Sequence, residues 1–256
     1  MAKRNTKLRR HGIMEALRDR GEVSVEQLTE TYQTSEVTIR KDLAALEEAG
    51  LLLRRYGGAV ALPTDLLQQA SSGSSSPQKT AIARRAAAQI KDHYRIIIDS
   101  GSTCIAMLPY LSEVRGLVVM TNSLSVAQKL LELENEPTVL MTGGTWDKRS
   151  ESFQGQQAEL MLRQYNFDQL FIGADGIDVD RGTTSYNEFL ALSQAMAEVA
   201  REVIVLAESA KASRKIPNLE LRWSQIHCLV TDTGLTADHR NSIAAQDVQI
   251  LLAEND

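Results

Sequence analysis

Two cysteines, four histidines and no long apolar run set the outer limits on this 256-residue chain. Cys104 and Cys228 lie in separate apolar stretches, and neither has a partner at metal-ligand spacing. They read as two reduced core thiols, which excludes a disulfide framework. His11, His93, His227 and His239 are scattered, so no metal centre is expected and surface or capping roles fit better. No stretch approaches the roughly 20 apolar residues that cross a bilayer. The basic N-terminus has no apolar segment behind it, which argues against a secretory signal and for a cytoplasmic protein without a membrane partner. No cofactor motif stands out.

Acidic charge is in excess, with a net charge of −5. That is poor for a nucleic-acid binder taken as a whole, but the charge is unevenly spread. Residues 1–60 carry 11 Lys/Arg against 9 Asp/Glu, and the remainder 17 against 24. Five cations and no acid occupy the first ten residues (Lys3, Arg4, Lys7, Arg9 and Arg10). A mildly basic unit on an acidic body suits phosphate contact, because phosphates feel the local face. At 43% hydrophobic, the chain can bury a core in one small and one medium domain.

The small domain reads as helix, turn, helix, wing. Ser24 is placed as an N-cap with Gln27 three residues on, and Val25, Leu28 and Tyr32 repeat at helical spacing. A second helix is predicted over 35–49, capped by Ser35 and stopped by Gly50. Val37, Ile39, Leu43 and Leu46 form its expected buried stripe, and Glu36, Thr38, Arg40, Lys41 and Asp42 its polar face. Leu51 to Val60 reads as a hairpin turning at Gly57-Gly58, with Arg54 and Arg55 able to reach phosphates. A helix around Ile13, Met14 and Leu17 would pack against both. This order places one helix in a DNA major groove, with Ser35, Glu36, Thr38, Arg40 and Lys41 toward the bases and Arg54 and Arg55 on the backbone.

A serine-rich junction spans 62–78. From Lys79 short apolar strands alternate with helices: strands over 94–99, 117–121, 138–142, 169–173, 203–207, 227–231 and 248–253, and helices over 80–91, 105–112, 124–133, 155–163 and 186–201. That pattern predicts an α/β fold, a parallel sheet with helices on both faces. Ligands of such sheets sit beyond the carboxyl ends of the strands. Small and polar residues gather there: Asp99, Gly101, Ser102 and Thr103 after the first strand, Asn122 and Ser123 after the second, and Gly143 and Gly144 after the third. Asp175 and Gly176 follow the fourth strand and Lys211 the fifth. Amide nests and a lysine suit a phosphate; Asp99, Asp175 and Glu188 suit sugar hydroxyls. Trp146 and Trp223 are expected to pack.

The run Thr38-Ile39-Arg40-Lys41-Asp42-Leu43, then Leu46-Glu47, then Arg55-Tyr56-Gly57-Gly58-Ala59, resembles the signature of the DeoR family of bacterial sugar-metabolism repressors. Residues 96–103, 120–124, 141–145, 171–178, 183–188 and 208–211 resemble the sensor domain of that family. The resemblance implies a winged helix-turn-helix over 1–61 and, over 79–256, a sensor and oligomerisation domain with a sugar-phosphate-isomerase-like fold. It implies double-stranded operator DNA and a phosphorylated sugar or sugar-alcohol effector as partners, a dimer or tetramer, and Lys79 among the effector ligands. Residues 122–145 and 169–178 look most like repressors of sugar-alcohol operons, which implies a hexitol phosphate. The chain departs from the family at Glu208-Ser209-Ala210-Lys211-Ala212-Ser213, where Asp-Ser-Ser-Lys-Phe-Gly is usual, and at Gln78, where an acid is usual.

An isomerase is the main alternative. Isomerases of the resembling fold carry an acid-rich DGADE-type segment; here Ile172-Gly173-Ala174-Asp175-Gly176 keeps one of its three acids. The lysine that follows in those enzymes is replaced by the run Gly182-Thr183-Thr184-Ser185. No catalytic residue is therefore assigned. An oligomerisation body that binds no ligand is a third reading.

Overall fold

The computed structural model describes residues 2–48, 51–61, 76–148, 150–187, 190–214, 216 and 218–254. The chain divides into two compact units, 1–74 and 75–256. Most of the serine-rich junction, 62–75, lies outside the described residues.

In the first unit, α1 (Ala2–Arg20) and β1 (Glu22–Ser24) lead to α2 (Val25–Tyr32) and α3 (Glu36–Glu48), then to the hairpin β2 (Leu52–Arg55) and β3 (Gly58–Ala61). Ser24 caps α2, its Oγ accepting from the Gln27 amide at 3.1 Å. Gln33, in the left-handed region at φ 45°, ends α2 and turns the chain toward α3. Ile13, Leu17, Val25, Leu28, Ile39, Leu43, Leu46 and Leu52 close one core. The wing turns at Tyr56-Gly57, where Gly57 takes φ 79°. β1 was not legible in the sequence: it adds to β3 and makes a three-stranded antiparallel sheet in the order β1-β3-β2. Gly58 is required there, since a Cβ would strike the Val23 carbonyl.

Two of the expected positions on α3 are exchanged. Val37 is 62% exposed, outside the buried stripe, and Asp42 is 2% exposed, inside it. Asp42 is neutralised by two arginines of α1: Arg9 Nε donates to one carboxylate oxygen at 2.5 Å and Arg10 Nε to the other at 2.8 Å. A buried carboxylate is tolerable only with such partners.

The second unit has at its centre a seven-stranded, wholly parallel sheet. Its strands are β4 (Arg95–Ile98), β5 (Val118–Thr121), β6 (Thr138–Met141), β9 (Phe167–Gly173), β12 (Ala200–Leu206), β14 (Cys228–Asp232) and β15 (Gln249–Ala253). The spatial order is β15-β14-β12-β9-β4-β5-β6. Strand side chains alternate between two apolar layers. Ile96 and Ile98 join one layer with α4 (Pro77–Ala87), α5 (Ser102–Met107) and α6 (Leu124–Leu131). Ile97 joins the other with α7 (Gln156–Leu162), α8 (Ala191–Val199) and α9 (Ala237–Ala244). Cys104 and Cys228 are both buried and unpaired in disulfides. Trp223 is buried, whereas Trp146, on the hairpin β7 (Thr145–Asp147) and β8 (Ser152–Gln154), is 43% exposed and sits edge-on to Phe153.

Several boundaries differ from the sequence pattern; the helix expected over 105–112, for one, is α5 at Ser102–Met107. α4 starts at Pro77 because Ser76 caps it, accepting from the Lys79 amide at 3.1 Å, and proline fits the first helical position. The helix expected from 186 begins only at Ala191, and Tyr186, whose amide is held by Asp175, stands outside it. It ends at Val199, and the run from Ala200 enters β12 directly. A second antiparallel sheet, β10 (Gly176–Asp178), β11 (Gly182–Ser185) and β13 (Asn218–Arg222), flanks the main one. No helix of the described residues is long and apolar enough to cross a membrane.

Candidate functional site

On the first unit, Glu36, Val37, Arg40 and Lys41 are exposed along α3, as are Tyr56 and Arg54 on the wing. The Ser35 hydroxyl caps α3, accepting from the Thr38 amide at 3.3 Å, and it lies 3.0 Å from the Thr38 hydroxyl. Three of the cations expected to face DNA are closed by local acids: Arg40 by Glu36 at 3.0 Å, Arg54 by Glu47 at 3.0 Å, and Arg55 by Glu22. Exposed pairs of this kind are worth about 0.2–1 kcal/mol, so a phosphate can replace the carboxylate. Lys41 has no ion pair among the described residues.

On the second unit, chain order reverses between β4 and β9. β5 and β6 extend to one side of β4; β9, β12, β14 and β15 extend to the other. That break is the topological switch point where open parallel sheets form a crevice at their carboxyl edge. Because every strand is parallel, the ends of β12, β9, β4, β5 and β6 face the same edge in succession. Asp99 leaves β4, and Gly173-Ala174-Asp175 ends β9 (on either side of the break). A Cβ placed on Gly101, Gly143 or Gly173 meets nothing within 4 Å, so open space lies over three of these strand ends. Gly144 and Gly176 are glycines for packing: a Cβ would lie 2.6 Å from the Gln154 carbonyl oxygen and 2.7 Å from Thr184 Oγ1 respectively.

The polar residues at this edge form a connected set. Asn122 Nδ2 donates to Asp99 Oδ1 at 2.9 Å, and the Ser100 amide donates to Asn122 Oδ1 at 3.1 Å. Asp175 accepts from the Ser185 hydroxyl at 2.9 Å and the Tyr186 amide at 3.1 Å. Lys211, on the turn 209–213 after β12, donates from Nζ to the Ala174 carbonyl at 2.6 Å. Lys79, on the first turn of α4, is 7% exposed, yet its ammonium has no hydrogen bond or ion pair among the described residues. Its helix is tied to the same edge by the Ser76 hydroxyl, which donates to Glu208 Oε1 at 2.9 Å. The longer acid at 208 thus reaches the cap of α4. Ser123 is buried, and its hydroxyl is used to cap α6. α5 spans six residues, too short for its dipole alone to hold an anion at Ser102 and Thr103. Glu188 lies outside the described residues.

Burial lifts the Asp99 carboxyl to about 6, against the pull of Asn122 and Ser100, and the nearby Asp175 carboxylate lifts it further. A third acid, Glu220 of β13, belongs to this cluster and was missed in the sequence. Burial pushes it up to about 8, with Asp99 and Asp175 adding to the shift, while the Ser193 and Thr183 hydroxyls oppose it. Ser193 Oγ donates to Glu220 Oε1 at 2.8 Å. Asp99 and Glu220 both keep some accessible surface although protein surrounds them, as in a concave site. Only the alternation Leu219, Glu220, Leu221 hinted at Glu220, and a five-residue strand is too short to be read that way. The edge thus gathers carboxyl and amide groups with Lys211, and Lys79 lies on the first turn of the helix tied to it. Among the described residues no group of His, Cys, Asp and Glu is suited to hold a metal ion.

Comparison with known proteins agrees with this organisation. The DeoR-like helix-turn-helix domain matches residues 9–64, and the DeoR C-terminal sensor domain matches residues 74–233. The protein assigned provisionally as the aga operon transcriptional repressor of Escherichia coli O157:H7 is 36% identical over 253 residues, covering 96% of this chain and 94% of that one. The transcriptional repressor AccR of Agrobacterium fabrum is 34% identical, covering 90% and 91%. Among solved structures, ribose 5-phosphate isomerase A of Methanocaldococcus jannaschii is similar over 54% of each chain, at 18% identity and a TM-score of 0.39. A helix-turn-helix unit joined to a parallel-sheet sensor, matched along nearly the whole chain, places this protein in the DeoR family.

Proposed function

We propose that this protein is a transcriptional repressor of a sugar or sugar-alcohol utilisation operon, released from its operator by a phosphorylated sugar. Domain 1–61 binds double-stranded DNA through α3 and the wing. Domain 79–256 binds the effector and forms the homo-oligomer, which sets two α3 helices on half-sites about 10 bp apart or a multiple of that. The effector binds at the carboxyl edge of the sheet. Lys211 and Lys79 take the phosphate, with the amides after β4 beside them. Asp99, Asn122, Asp175 and Glu220 take hydroxyls, and a hexitol phosphate fits the sugar-alcohol resemblance. The carrying observation is the meeting of these groups at the break between β4 and β9, in a chain whose other unit is a helix-turn-helix. The aga operon repressor and AccR named above are regulators, and the segment that carries the isomerases' acids keeps only Asp175 here, so the base and electrophile that aldose–ketose isomerisation needs are not assigned. The protein is accordingly read as a sensor without catalysis, acting in the cytoplasm.

Two variants test the two halves separately. Arg40→Ala should weaken operator binding by about 1–3 kcal/mol while leaving release by effector intact. Lys211→Ala should leave operator affinity unchanged and blunt release. Lys79→Ala checks the latter at a residue without the Ala174 contact. Normal release from both lysine variants contradicts the phosphate assignment, and unchanged operator binding by Arg40→Ala contradicts the base contact.

A further inference from the structure

The exposed side of α3 carries an apolar residue where polar ones are expected. Ile39, Asp42, Leu43 and Leu46 face inward, so positions 37, 40, 41 and 44 recur along the outer face at helical spacing. The polar side chains at the start of this helix are engaged locally. Ser35 is bonded to Thr38, and Glu36 to Arg40 at 3.0 Å. Val37 stands between them, 62% exposed.

A lone exposed apolar residue is ordinary on most surfaces. This one costs helix stability, because a β-branched side chain loses rotamer freedom against the preceding turn, and no burial offsets the loss. It is also the second residue of the helix whose N-terminal residues meet base edges in helix-turn-helix proteins. The major groove presents one apolar group, the C5-methyl of thymine.

We propose that Val37 is a specificity-determining residue whose isopropyl group packs on the C5-methyl of a thymine in the bound site. Lys41, one turn further along the same face, is free to contact the adjacent backbone. This inference rests on the DNA-binding reading above. It gives α3 a methyl sensor beside its cations, so the preferred operator has a thymine at one defined position.

The test uses the full-length chain. Its preferred duplex is first selected from a random-sequence library, and each thymine is then replaced singly by uracil, which removes only the methyl group. At one thymine the wild-type protein should lose about fourfold in affinity, the value of one buried methyl. V37A should lose about the same on the thymine duplex and be indifferent to uracil at that position. V37A is at the surface, and a melting curve at or above that of wild type confirms its fold. Uracil substitutions that leave wild-type affinity unchanged, or that weaken wild type and V37A alike, overturn the proposal while keeping the DNA reader. Selection that enriches no sequence overturns the DNA-binding reading itself.

Discussion

Burial sets the charge of Glu220, with Asp99 and Asp175 adding to its effect and the Ser193 and Thr183 hydroxyls opposing it. Its carboxyl titrates near 8, against an ordinary value of 4.5. A carboxyl raised in the folded state binds protons that the unfolded chain has released. Its stabilising effect is complete below about pH 4.5 and is lost as pH rises through 8. Glu220→Gln should therefore flatten the fall in melting temperature between pH 5 and pH 8, with the variant gaining on wild type at pH 8. Parallel curves for the two proteins would mean that Glu220 ionises normally. Asp42 is buried in the first unit and bonded to Arg9 and Arg10. Asp42→Ala should cost the first unit about 2–3 kcal/mol in urea unfolding, the usual scale for hydrogen bonds to a charged group. The exchange of Val37 and Asp42 shows where reading by residue type runs out. Hydropathy alone puts valine inside and aspartate outside. The position of α1, which supplies two arginines to Asp42, cannot be read from α3.

At the level of elements, the order of strands and helices was largely legible and their ends were not. Ser24, Ser35, Ser76 and Ser123 all act as caps, each bonded to an amide three residues on. The sequence marks such starts locally. The start of α8 at Ala191 has no side-chain cap, so no such local mark exists there. The three- and four-residue strands β10 and β11 are too short to show alternation, and the five residues of β13 show only Leu219, Glu220, Leu221. The wing gives two predictions. Gly58→Ala should push β3 away from the Val23 carbonyl, lower the melting temperature of the first unit and weaken operator binding together. Glu22→Gln frees Arg55 from its acid and should tighten operator binding by up to about fivefold, with a steeper salt dependence. Weaker binding by that variant would show that the pair orients the arginine and does not compete with phosphate.

For the whole molecule, a mildly basic reader and an acidic sensor share one chain, and repression requires that each bias the other. An effector can release DNA only to the extent that it binds the non-DNA-binding state more tightly, and DNA must weaken effector binding by the same factor. The switch point between β4 and β9 follows from strand order, which the alternating pattern does not fix. What gathers there was legible only in part, since Asp99, Asn122 and Lys211 flank strand ends whereas Glu220 comes from a separate sheet. The most direct measurement is fluorescence anisotropy of the full-length protein on duplexes from upstream of its own and neighbouring sugar genes, titrated with hexitol and hexose phosphates and with the free sugars. Saturable, salt-dependent binding released by one phosphate at micromolar levels, with the free sugar inert, is the predicted result. Binding to one duplex that no phosphate disturbs would contradict the account of the sensor, and the absence of preference for any duplex would contradict the account of the reader.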